Sequence, residues 1–295
     1  LFPHPLWDGH QLTGKTIVIW SEQGIGDCIM FASLLFRLQQ KAERILVETQ
    51  QRMILLFRRS FPNIGFFCIQ DPPNSRLLER SVDYQSSIGS LAQWLLPDEE
   101  SFPKSSSYLK ACADKTGEVR DEYQKLAMGK LLIGISWKSV NKDIGKLKST
   151  SLIEWKDLLS QKDCFFINLQ YGDVREETDA FVGQTGISIY QDKGINSLES
   201  LDDFAAQVSA LDLIISTSST TVHMAGALGK PVWTLLHYVP DWRWQIDRSD
   251  TPWYPSMTLY RQPSLGDWYS VFQQVQPDLK QFVKDNIYKI QMGDS

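Results

Sequence analysis

No run of apolar residues in this 295-residue chain approaches the ~18 that a membrane-spanning helix needs. No stretch reads as a signal peptide. The four cysteines, Cys28, Cys68, Cys112 and Cys164, lie far apart and make no CxxC pair. That spacing argues against a disulfide framework or a zinc ribbon and fits a reducing, cytoplasmic setting. The four histidines are scattered too, so no metal site and no cofactor are expected. Positive charge is scarce: 30 Lys and Arg against 35 Asp and Glu give a net −5. This balance argues against non-specific nucleic-acid binding. The first residue is Leu1 rather than Met, so the chain reads as part of a longer protein.

What is present is a globular composition, 42% hydrophobic and 22% charged, of a length suited to two domains. Apolar runs at 15–20, 44–49, 63–69 and 82–88 alternate with helical patterns at 27–41 and 51–61. A Pro- and Ser-rich loop (95–108) and a polar helix (113–128) follow. A second alternation has strands expected at 130–137, 163–170, 187–191, 211–217 and 230–236, with helices at 151–161, 173–182 and 200–210. The order strand, helix, strand predicts two parallel α/β series, with domains at 1–127 and 128–295. A Trp- and Pro-rich tail (237–268) leads to a last helical run at 269–287, which is expected to pack back on the first domain.

Two junctions carry the chemistry. In WSEQGIGDCIMF (20–31), a strand passes into a helix through Gly24 and Gly26, since glycine permits positive φ and close approach. The pattern is neither a dinucleotide fingerprint, because position 29 is Ile29, nor a P-loop, because no GK[ST] follows. Asp27 reads as a helix cap or as a carboxylate aimed into a cleft to take a proton from a hydroxyl, and both could hold at once. Glu22 competes for the same role.

The second junction lies in LDLIISTSSTTVHMAGALGKPVWTLL (211–236). A strand ends in five consecutive hydroxyl residues, Thr217, Ser218, Ser219, Thr220 and Thr221, and His223 follows on the first turn of a helix. Hydroxyls and free N–H groups at a helix start suit a phosphate, and one cap needs only one hydroxyl. His223 is expected to contact the ligand. Lysines 138, 142, 146, 148 and 156 mark a basic stretch after another strand end; Lys148 is placed to offset the charge of a leaving diphosphate. The WRW (242–244) and PWYP (252–255) motifs read as packing for the tail or, by stacking, as a contact for a sugar ring, with Arg243 and Arg248 as candidate contacts for an anionic ligand. Asp202 and Asp203 read as a helix start rather than a metal motif.

The blocks 5–32, GISWKS (134–139), 200–217, VHMAGALGKPVWTLL (222–236) and 240–268 resemble the glycosyltransferase-like domain that follows tetratricopeptide repeats in bacterial proteins. That group is similar to the heptosyltransferases and, more distantly, to the O-linked N-acetylglucosamine transferases. The resemblance implies a GT-B architecture: two Rossmann-like domains facing across a cleft, with the nucleotide-sugar donor on the second and the acceptor on the first. It implies that Asp27 is the base of an inverting, metal-independent transfer. It places Lys148, seven residues before Trp155, on the donor phosphates. Trp137 would flank the nucleotide, and Gly24, Gly26, Lys138 and residues 217–223 would line the substrate site. It also implies a missing N-terminal repeat domain and a protein acceptor. The sequence departs from the pattern at Ser218, where relatives carry Asp. The alternative reading is a GT-B-like module that binds a nucleotide sugar or a protein without turnover; a third is a nucleotide-sugar epimerase.

Overall fold

The apolar runs become short strands with few exposed side chains, as parallel sheets covered on both faces require. The computed structural model describes residues 2–102, 104–139 and 144–291. The first sheet holds β1 (Thr16–Trp20), β2 (Arg44–Thr49), β3 (Gly65–Cys68) and β4 (Tyr84–Ser87), in the order β3-β2-β1-β4. The second holds β5 (Leu131–Ser136), β6 (Cys164–Asn168), β7 (Leu213–Thr217), β8 (Val232–Leu236) and β9 (Met257–Arg261), in the order β6-β5-β7-β8-β9. Every pairing in both sheets is parallel. The helices of the first part are α1 (Ile25–Ala32), α2 (Leu35–Gln39), α3 (Ile54–Ser60), α4 (Leu91–Leu95) and α5 (Ala113–Ala127). The second part contributes α6 (Gly145–Lys148), α7 (Lys156–Leu159), α8 (Arg175–Thr185), α9 (Leu201–Ser209), α10 (Thr220–Ala227) and α11 (Trp268–Gln291).

Four details differ from the sequence reading. The helix expected over 27–41 breaks into α1 and α2 at Ser33, whose hydroxyl donates to the Met30 carbonyl at 2.7 Å. The strand expected at 187–191 shrinks to one bridge, Tyr190 to Ile167. A turn in which Asp192 accepts the Gly194 N–H at 2.7 Å stops it there. Strand β9 emerges from the Trp-rich tail, where Met257 and Leu259 face one side and Tyr260 the other. Finally, α11 packs on the second sheet and not on the first domain. Its Val271, Phe272, Val275 and Leu279 join Trp137 and Trp155 in one apolar cluster.

The chain crosses between lobes over 104–112. Tyr108 and Leu109 both donate their N–H groups to the Ala227 carbonyl, at 2.9 and 3.0 Å. Helix α5, although N-terminal to β5, lies against the second lobe: Arg120 pairs with Asp212 at 2.9 Å and Lys115 with Asp203. Asp203 sits in the first turn of α9, which Ser200 caps by accepting the Asp203 N–H. Asp202, beside it, pairs with Arg59 of the first lobe.

Candidate active site

The loops after β1, β2, β6, β7 and β8 all leave the C-terminal strand edges, where α/β proteins bind ligands. The edges confront each other, so α1 and α10 pack directly. Gly26 explains how closely: a Cβ on it would lie 2.7 Å from Cδ2 of His223. This contact, not a positive φ, is what requires glycine. Gly24 sits at φ −66° as the residue before α1, and a Cβ there meets nothing nearer than 3.7 Å.

Asp27 does not cap its helix. Gly24 occupies the cap position, without any side-chain bond, and the Asp27 carboxylate instead reaches across the cleft to the guanidinium of Arg243. Glu22 turns the other way and accepts the Gly89 N–H at 3.1 Å.

Arg243 belongs to a short 3-10 turn, Trp242–Trp244, in the loop after β8. Its guanidinium also meets Asp241 at 3.1 Å, and Asp241 in turn accepts from Lys148 Nζ at 3.0 Å. Burial raises the Asp241 carboxyl pKa, but Arg243 and Lys148 outweigh it and hold the group below its ordinary range. Lys148 is buried, at the end of α6.

The hydroxyl run divides its labour. Ser219 caps α10, accepting the Thr221 N–H at 3.3 Å. Ser218 accepts the indole N–H of Trp244 at 3.0 Å. Thr217 Oγ1 is buried with no hydrogen-bond partner. Thr220 and Thr221 line a cavity of about 250 Å³ between the lobes, together with Ile25, Arg52, Tyr171 and Leu198. His223 is buried; its Nδ1 bonds the Tyr254 hydroxyl at 2.8 Å and Trp244 stacks on its ring. Burial, reinforced by Arg243, pushes the His223 pKa down to about 3, so the ring is neutral. Burial holds the Tyr254 hydroxyl protonated.

Two expected contacts are corrected. The Trp137 ring is fully enclosed beneath the second sheet and its indole N–H donates to Glu177 at 3.0 Å, so it does not flank the cleft. Lys138 turns to the same Glu177 at 2.5 Å. Lys142 lies outside the described residues. Sequence reading missed Asp241 and took Trp244 and Tyr254 first as tail packing; it offered Arg243 to an anionic ligand, whereas here Arg243 pairs with Asp27 and Asp241. Their position in and beyond the loop at a strand's C-terminal edge was the available signal. Among the described residues, no group of three or more His, Cys, Asp or Glu is placed to hold a metal ion, and no helix is long and apolar enough to cross a membrane.

Against solved structures, the chain is similar to ADP-heptose lipopolysaccharide heptosyltransferase II of E. coli, with TM-score 0.64 and 13% identity over 92% of this chain and 99% of that one. It is similar to a family 9 glycosyl transferase of Veillonella parvula, with TM-score 0.61 and 14% identity over 90% of each. The fold is GT-B. The E. coli heptosyltransferase WaaC, solved with ADP, matches at TM-score 0.53 and 12% identity over 94% of this chain and 99% of that one. Among curated sequences, Protein FlbA of Caulobacter vibrioides is 29% identical over 293 residues, 95% of this chain and 49% of FlbA. The chain thus spans about half the length of the curated relative it matches. No protein-family model matches it.

Proposed function

We propose that this GT-B chain is a glycosyltransferase domain that moves a sugar from a nucleotide-sugar donor to a hydroxyl acceptor, with inversion and without a metal. One observation carries the reading: Asp27 of the first lobe and Lys148 of the second converge on the same turn between facing helix starts. Asp27 takes the proton from the acceptor hydroxyl as its oxygen attacks the anomeric carbon. The bond from that carbon to the donor's phosphate oxygen breaks on the opposite face. Lys148, the α10 N–H groups and the 217–221 hydroxyls stabilise the departing diphosphate. His223, neutral and fixed by Tyr254, serves as a hydrogen-bonding contact without adding charge. The cavity beside Thr220 and Thr221, with its apolar wall of Ile25 and Leu198, suits the nucleoside.

The acceptor in this reading is a protein hydroxyl presented from the first-lobe side. The setting is cytoplasmic, consistent with four cysteines that are all free. The test is a thermal-shift screen of UDP, GDP, ADP and CMP, then assay of the matching sugar nucleotides for hydrolysis and for transfer to co-expressed proteins by intact mass. A stabilising nucleotide and a sugar-sized mass gain are expected. Failure of every nucleotide to stabilise the chain removes the reading. A second reading, a binding module without turnover, draws support from Asp27 and Lys148 both being engaged within the protein; tight nucleotide binding with no product identifies it.

A further inference from the structure

The charges in the cleft alternate. Lys148 meets Asp241, Asp241 meets Arg243, and Arg243 meets Asp27. Two cations and two carboxylates balance within the protein, and all four are shielded, with side-chain exposures of 11% to 21%. A diphosphate arriving at Lys148 brings at least two further negative charges next to the Asp241 carboxylate. Like charges at contact distance in a poorly solvated site repel strongly. The diphosphate and Asp241 therefore compete for one ammonium group.

The backbone ties that competition to the proposed base. Asp241 caps its own 3-10 turn, its carboxylate accepting the Arg243 N–H at 3.3 Å. The position of Asp241 is thus coupled to the turn that carries Arg243. Trp244 anchors the far end of the turn, fully buried between His223 and Ser218. Trp242, under the Arg243 guanidinium at 5.0 Å, is 60% exposed and leaves the near end at the surface. Arg243 Nε is buried without a partner, a donor still unspent for a phosphate oxygen, and guanidinium matches phosphate well.

We propose that the Asp241–Arg243 turn is a displaceable plug: Asp241 stands in for the donor's diphosphate, and its displacement frees Asp27 from Arg243. The inference rests on the donor seat proposed at Lys148 and adds an order to it. The donor binds first, Arg243 passes from the carboxylate to the phosphates, and only then can Asp27 accept the acceptor's proton. In the donor-free protein the base is occupied.

The test uses inorganic pyrophosphate and the whole chain. By calorimetry, Asp241→Asn, which keeps the cap but not the charge, is expected to bind pyrophosphate about tenfold more tightly than wild type. The gain is expected to vanish in Asp241→Asn with Lys148→Ala. Independently of any variant, saturating pyrophosphate is expected to speed hydrogen exchange at the Arg243 and Trp244 amides of the wild-type chain, where a purely structural turn would be slowed or unchanged. Equal or weaker binding by Asp241→Asn, a gain that survives Lys148→Ala, no pyrophosphate binding by any form, or slower amides overturns the plug. Exchange as expected, without sugar transfer, supports the plug while removing the reaction.

Discussion

The two strand-to-helix junctions, Gly24–Asp27 and Thr217–His223, answer the same geometric problem with opposite side chains. The first is stripped: a glycine faces the other lobe, and one carboxylate leaves the helix end for Arg243. The second is furnished: a cap, a buried hydroxyl, an indole on Ser218 and a histidine held by Tyr254. The first junction is bare so that the second can be full, because two furnished helix starts could not approach to the distance that Gly26 and His223 keep. In the proposed reaction one side supplies the base, and the other supplies a preorganised polar wall.

The comparison can be broken, most severely first. If Asp27 is the reactive group of the bare junction, Asp27→Asn lowers transfer by about 10²- to 10⁴-fold while circular dichroism stays native; undiminished transfer removes the assignment. If Lys148 belongs to the furnished side's ligand seat, Lys148→Ala weakens nucleotide binding by roughly 10- to 100-fold, the scale of a charge-assisted hydrogen bond, read by calorimetry.

Gly26→Ala is expected to lose about 1–3 kcal/mol of stability through overpacking on His223. Gly24→Ala, open at its Cβ, is expected to be nearly neutral, and equal urea midpoints for the two variants would contradict the contrast.

His223 has its pKa lowered from 6.5 to about 3 in the folded chain. Between those values the unfolded chain holds the extra proton, so stability falls as pH drops below about 6.5 and is unaffected by this group above it. Denaturant titrations at pH 7.5 and 5.5 are expected to show a wild-type loss exceeding that of His223→Gln by about 1 kcal/mol, since a full proton is worth about 1.4 kcal/mol per pH unit. Last, Ser218→Ala leaves the buried Trp244 N–H unpaired and is expected to cost about 1 kcal/mol.

The parts of this arrangement that local pattern encodes were legible. Apolar runs marked eight of the nine strands among the described residues, and the hydroxyl run and Asp27 were singled out from spacing. The rest depends on contacts distant in sequence. Asp27 and Arg243 are 216 residues apart, and WRW reads as tail packing until β8 is known to deliver it to the cleft. Trp137 failed for the converse reason: in a buried strand, successive side chains take opposite faces, and Trp137 points to the α11 side, not to the ligand edge. Ser218 shows how a departure from a pattern is absorbed, because its hydroxyl is employed by Trp244.

The crossing segment has a mechanical meaning. Its Tyr108 and Leu109 amides clasp the last residue of α10, and Gly229 makes room for the Ser106 carbonyl, 2.5 Å from where its Cβ would lie. The lobes are thus stapled at one end of an eight-residue helix whose other end carries the hydroxyl wall. At 1.5 Å per residue that helix is a lever of about 12 Å. A tilt of about 10° at the staple would move the far end of the helix by ~2 Å, while the fulcrum stays still.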